Sequence, residues 1–258
     1  MMGGLGGIFL ILNFKSVWLS ALAVLSTYLS IHYGITAEFP LTLVLTAVVF
    51  PIVFSIDAAY KRREAALDHY ADIKAHVKAL YLAVRDWQDT ATDADIAQCK
   101  NLLMKFFESS RVLFTSPVSA MRENEKSVYA AFSEISRFIR TDLREKGLNA
   151  SEVSRCNQYL SKAMVSFEKI KHIYQYRTPR TLNAFRNIFI VVLPVVYGPY
   201  FAFLAKDFSP SVIYVTPILT AVVLASLDNI QTHLENPFDR DSEDDLNINV
   251  ERLFDRFN

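Results

Sequence analysis

Charge is almost absent from four stretches of this sequence, and that absence limits what the chain can fold into more than any other feature. Gly7–Ile35 carries one charged side chain, Lys15, while Phe39–Ile56, Ile188–Leu204 and Ser211–Leu227 carry none. Between the two pairs lies 61–186, which holds 22 of the 27 Lys and Arg residues. A charge at the bilayer centre costs about 2.5–3.5 kcal/mol on insertion scales. The middle therefore cannot sit in lipid, while the ends can. At about 1.5 Å of rise per residue, 17 residues reach roughly 26 Å against a hydrocarbon core of about 30 Å. The third and fourth stretches thus need flanking Thr, Tyr and Asn residues to complete a span. None of the four shows a polar face, which argues against a core hairpin in a soluble all-α protein. The expected fold is all-α, with four transmembrane helices in two hairpins and a helical domain inserted between them.

The positive charges near the spans set the orientation. Lys61, Arg62 and Arg63 follow the second stretch at once, and Arg177, Arg180 and Arg186 precede the third. The hairpin loops 32–38 and 205–210 contain one Lys between them. Both termini and 61–186 are therefore expected on the cytosolic side, and the Asn149-Ala150-Ser151 sequon on the unmodified side. No secretory signal peptide is apparent, because a basic n-region is missing and the first apolar stretch is too long for an h-region. Cys99 and Cys156 lack metal or redox spacing and read as free thiols facing a reducing compartment. The middle carries a net charge of +7 and the tail 235–258 a net charge of −5. The basic excess is spread along helices and is accounted for by topology, so nucleic-acid binding is not expected.

Apolar residues three or four apart predict helices over 65–87, 96–113, 121–143 and 152–176. Ser116-Pro117 separates the second from the third, Gly147 ends the third, and Ser151 is the expected N-cap of the fourth. Ala131, Phe132, Ile135, Phe138 and Ile139 form one stripe and read as core. Expected boundaries are 1–60 for the first hairpin, 61–186 for the inserted domain, 187–228 for the second hairpin and 229–258 for an acidic segment packed on the inserted domain. No His-box, nucleophile–base set, phosphate-binding Gly loop or metal cluster is visible among His32, His69, His76, His172 and His233. Catalysis is therefore not expected.

Pro51, Pro194, Pro199 and Pro217 fall inside three of the four spans. Each removes a backbone donor and frees the carbonyl four residues earlier, which in lipid needs a neighbouring helix or water as partner. On the second span, Thr46, Phe50 and Phe54 recur every four residues and so share one slowly turning face. If copies of this helix surround an axis, those residues form successive rings, two of them aromatic. Apolar rings gate by dewetting, and aromatic edges present partial positive charge to a weakly hydrated anion. The alternative is that both Phe residues face lipid or another helix. Past the fourth span, Glu235-Asn236-Pro237-Phe238 leads into Asp239, Asp241, Glu243, Asp244 and Asp245. Carboxylates and amide oxygens are the ligands calcium prefers, although the twelve-residue calcium loop fails here: position 6 is Asp244, where Gly is needed, and position 12 is Val250. A solvated acidic segment and a turn at Asn236-Pro237 are the alternatives.

Taken together, the sequence resembles the bestrophin family of ion channels. The resemblance rests on a hairpin ending in Phe54, then Ala58-Ala59-Tyr60-Lys61-Arg62, a long helical domain and a Thr178-Pro179 approach to a second hairpin. Leu227-Asp228 and the Glu235-Asn236-Pro237-Phe238 block with trailing acids complete it. It implies a homopentamer in the lipid bilayer with one central pore that passes chloride or other small anions, or cations. The implied pore neck falls on Thr46, Phe50 and Phe54, and a cytosolic constriction falls near Val153. A calcium clasp, present in animal members and lacking in bacterial ones, would fall on Asn236, Asp241 and Asp244 or Asp245. The sequence departs from the family pattern at Thr46, which predicts a wetter upper ring, and at Ser55-Ile56, which replaces a polar or basic stretch. It departs again at Asp57, which puts negative charge near the inner end of the neck unless Arg62, Arg63 or another base pairs with it. A membrane scaffold with a partner-binding domain is the rival from another class.

Overall fold

A computed structural model describes residues 12–88, 92–176, 179–207, 209 and 212–238. Among these, the long elements are helices: α1 (Phe14–His32), α2 (Leu41–Asp86), α3 (Asp93–Thr115), α4 (Met121–Arg140), α5 (Asp142–Glu145), α6 (Ala150–Gln175), α7 (Arg180–Val196), α8 (Gly198–Leu204) and α9 (Val215–Glu235). They fall into two compact units. The first lies within Met1–Lys61 and Thr178–Glu235, and the second within Arg62–Arg177 and Asn236–Asn258. The second hairpin is thus longer at both ends than hydropathy sets it. Arg180 and Arg186 lie on its first helix, and α9 continues past Asp228 to Glu235.

In the first unit, Asn13 caps α1 by accepting from the backbone N–H groups of Lys15 and Ser16. The helix ends at Gly34, whose φ of 65° supplies the left-handed turn. Ile35 N–H then reaches Ser30 O at 2.8 Å and Gly34 N–H reaches Ile31 O at 3.2 Å, the paired bonds of a Schellman stop. Leu19 and Ala23 of α1 pack with Val48 and Ile52 of α2, Ile190 and Leu193 of α7, Phe201 of α8, and Ala221, Leu224 and Ala225 of α9. α1, α2 and α9 are long and apolar enough to cross a membrane, and α7 with α8 makes a fourth such stretch when the pair, bent by 41°, is taken together.

The second span does not end where its hydropathy ends. α2 runs unbroken from Leu41 to Asp86, so the helix expected to begin near Ala65 is its continuation. Nothing in Ser55–Leu67 is a helix breaker; Ala, Tyr, Lys, Arg and Glu all propagate the helix, and only polarity changes there. At 46 residues, α2 is about 69 Å long, more than twice a bilayer core.

The second unit is an aromatic-rich bundle. The stripe Ala131, Phe132, Ile135, Phe138 and Ile139 is wholly buried, together with Phe106, Phe107, Leu113, Phe114, Phe167 and Tyr174. Phe106 and Phe132 ring centroids lie 4.5 Å apart. Gly147, at φ 99°, ends α5 with a second Schellman stop, in which Leu148 N–H bonds Leu143 O at 3.1 Å. The cap of α6 is Asn149, not Ser151. Asn149 Oδ1 accepts from Ser151 N and Glu152 N, and Glu152 returns a bond to Asn149 N–H. The Asn–Glu spacing completes a reciprocal capping box that Ser151 cannot make. Cys99 and Cys156 are both free and buried, and burial raises their thiol pKa values to about 12 and about 11.

Candidate functional site

Helix α2 has two faces within the first unit. Val48, Ile52, Ser55 and Ala59 are buried against its neighbours, and Ser55 Oγ donates to Pro51 O at 2.8 Å. On the other face Thr46, Phe50 and Phe54 are all exposed, Phe50 by 56% and Phe54 by 65%. The two Phe rings stand 6.0 Å apart and 33° from parallel. The stripe read from four-residue spacing is therefore a real surface row, and none of its three members is buried in the first unit. Thr46 Oγ1 donates to Thr42 O at 2.6 Å, so its hydroxyl hydrogen is committed to its own helix. That makes this position less polar than its residue type implies. One turn beyond Phe54, the row continues with Asp57 and Lys61. Lys61 Nζ donates to Asp57 Oδ2 at 2.7 Å, and Arg63 pairs with Glu64 at 3.0 Å.

Two prolines show how the membrane unit settles its backbone. Pro199 stands in the first turn of α8, where its missing N–H costs no helical bond, and Ser26 Oγ of α1 donates to Val195 O at 2.6 Å beside the backbone N–H that this carbonyl accepts at the end of α7. Pro217, expected to interrupt the fourth span, does not. It lies in the first turn of α9, where its missing N–H would have no helical partner anyway. Pro51 and Pro194 do lie inside helices.

A polar seam ties one end of this unit together. Asp228, 2% exposed, pairs with Arg186 Nε at 2.8 Å and also accepts from Lys15 Nζ. Beside it Asn13 Nδ2 donates to Asn229 Oδ1 at 3.0 Å, and Asn183 Nδ2 to Glu235 Oε1 at 3.2 Å. Three helices from both hairpins are thereby joined through one carboxylate. Sequence reading names Lys15, Arg186 and Asp228 separately and misses the cluster. The available signal is that each is a charge within or at the edge of an apolar stretch.

Val153 lies three residues into the first turns of α6, half-buried against the core of the second unit. Phe238 is 1% exposed and stacks on Phe114 at 5.0 Å and 19°, with Tyr174 edge-on at 5.9 Å. The Asn236-Pro237-Phe238 block is thus an anchor that inserts an aromatic ring into this core. Asn236 is half-buried; Asp241, Asp244 and Asp245 lie outside the described residues. Elsewhere in this unit Lys171 gathers Glu125 at 2.8 Å, Glu168 at 2.7 Å and the Tyr129 hydroxyl. Burial opposes its charge, but these bonds outweigh that and raise its pKa.

No protein-family model matches the chain, and no curated protein matches it in sequence. Solved structures do match its fold. A bacterial bestrophin homologue from Klebsiella pneumoniae superimposes with a TM-score of 0.69 at 18% identity, covering 96% of this chain and 97% of that one. A single-substitution variant of that homologue gives 0.71 at 17% identity over 93% and 98%, and a substituted membrane protein gives 0.71 at 18% over 94% and 98%. The fold is bestrophin-like. This bestrophin-like fold accounts for the all-helical architecture, and the resemblance read from the Asn236-Pro237-Phe238 block and the two hairpins agrees with it.

Proposed function

We propose that this protein is a homopentameric ion channel that conducts small anions, chloride foremost, passively through a central pore. Thr46, Phe50 and Phe54 line its neck and Val153 lines a second, cytosolic constriction. The observation that carries this reading is the outward row on α2. Three side chains at four-residue spacing, two of them large and apolar, stand exposed on the face opposite the one packed in the subunit. Fivefold repetition around an axis turns the row into stacked rings narrow enough to strip part of an ion's hydration shell. Ions partly desolvate at Phe50 and Phe54, where ring edges offer partial positive charge. In this reading both termini and the second unit face the cytosol, as the basic residues flanking the spans support. Calcium regulation through Asn236, Asp241, Asp244 and Asp245 is an accompanying proposal that rests on the sequence resemblance.

The test is purified protein in a planar bilayer, with oligomer mass measured in parallel. Phe50→Ala with Phe54→Ala is expected to raise unitary conductance and weaken gating. Unchanged currents in that variant would remove the neck role. Absence of any current from a well-folded pentamer would favour a scaffold. Currents titrated with calcium, with and without Asp241→Asn and Asp244→Asn, decide the regulatory part.

A further inference from the structure

The neck row does not stop at its aromatic residues. Phe50, Phe54, Asp57 and Lys61 follow one another at steps of four, three and four residues, which keeps them on one face of a straight 3.6-residue helix. Asp57 and Lys61 are both outward, with side chains 53% and 73% exposed, and the contact between them is an intrahelical ion pair of 2.7 Å. The neighbouring base Arg63 is engaged with Glu64. Resting on the pore reading above, we infer that Asp57 and Lys61 form a charge-balanced collar at the inner mouth of the neck, and that the balance between them sets whether the pore prefers anions or cations.

The physical argument is one of sign and screening. Each subunit brings one negative and one positive charge to the same level of the axis, so the collar's net field is small while both are present. An exposed pair of this kind is weakly bound, so neither charge is locked and each faces the lumen as a separate tunable group. Removing either member leaves a ring of single-sign charge next to a low-dielectric constriction, where fields are focused and local ion concentration changes steeply. Loss of Asp57 leaves a basic ring that concentrates anions. Loss of Lys61 leaves an acidic ring that concentrates cations.

Reversal potentials under asymmetric potassium chloride, in bilayers holding the full-length protein, test this. Asp57→Asn is expected to raise the chloride-to-potassium permeability ratio and Lys61→Gln to lower it, the two variants differing by about tenfold or more at low salt. The double variant should return near the parent, and the shifts should shrink at 1 M salt, where the Debye length falls to about 3 Å. Both side chains are exposed, so folding and oligomer mass should not change. If both single variants keep the parent ratio while Phe50→Ala with Phe54→Ala alters conductance, the collar is wrong and the neck stands. Shifts of the same sign in both single variants also overturn it. If the unsubstituted protein carries no current, the pore reading and the collar fall together.

Discussion

The two units of this molecule solve the same packing problem with opposite inventories. In the second unit the large side chains are inside: Phe106, Phe107, Phe114, Phe167 and Tyr174 fill the core, and charges such as Lys105 and Glu134 pair on the surface at 2.6 Å. In the first unit Leu43, Phe50, Phe54, Ile188, Leu219 and Val223 are on the outside, Ala23, Ala221 and Ala225 are among the residues inside, and the charges Asp228 and Arg186 are buried. The difference is one of solvent. Where water surrounds a bundle, apolar burial drives packing. Where lipid does, there is little hydrophobic gain between helices, and association relies on close contact of small residues and on polar groups that bind one another.

Breaking the seam is the strongest test of that contrast. Asp228→Asn leaves Arg186 and Lys15 without their shared carboxylate, and removal of one member of a buried pair costs about 3–5 kcal/mol. The thermal unfolding temperature in detergent should fall markedly. Replacing Lys15, Arg186 and Asp228 together by Met, Met and Leu should recover much of the loss. A single Asp228→Asn variant as stable as the parent would show that the seam does not hold the first unit. The corresponding test of the second unit is Phe238→Ala, which removes a fully buried ring from the Phe114–Tyr174 stack. A cost of about 3 kcal/mol is expected, read as a lower urea midpoint and faster proteolysis after residue 235.

Close helix contact is sharpened by Gly198→Ala. A Cβ there would stand 2.1 Å from Ser26 Oγ and 2.9 Å from the Ser26 backbone, so α1 and α8 must separate. The expected cost is about 1–3 kcal/mol, and displacement of Ser26 should also release its bond to the Val195 carbonyl. The smallest effect concerns acid. Asp95 accepts from Lys146 and from the backbone and hydroxyl of Thr92, which together lower its pKa to about 2. Its folded value lies below its unfolded one, so its contribution is complete above about pH 4 and is lost as pH falls toward 2. Asp95→Asn should flatten the acid limb of the stability profile and leave the neutral limb parallel to the parent.

Much of this architecture was legible in order and kind. Hydropathy located the apolar helices, periodicity located the Ala131–Ile139 stripe, and Gly147 marked a stop, because each is a local property written in consecutive residues. The Thr46–Phe50–Phe54 row was legible too, since four-residue spacing on a helix is geometry and not context. Other features were not visible in polarity or residue type alone. The span ending at Ile56 and the helix starting at Ala65 proved to be one rod, because polarity can change without any backbone signal to stop. The cap at Asn149 was missed for Ser151 because two residues compete there and the bond returned by Glu152 decides.

By itself, then, the sequence determined which segments are apolar enough to enter lipid, which are too charged for it and where most helices stop. These follow from solvation and from local backbone preference. Only the tertiary structure decided that Lys15, Arg186 and Asp228 meet, that Ser26 bonds the Val195 carbonyl, and that Phe238 is an anchor. Each of these joins residues on different elements, from 42 positions apart for Arg186 and Asp228 to 213 for Lys15 and Asp228, and no local periodicity encodes which distant partner a charge, a hydroxyl or a ring will find.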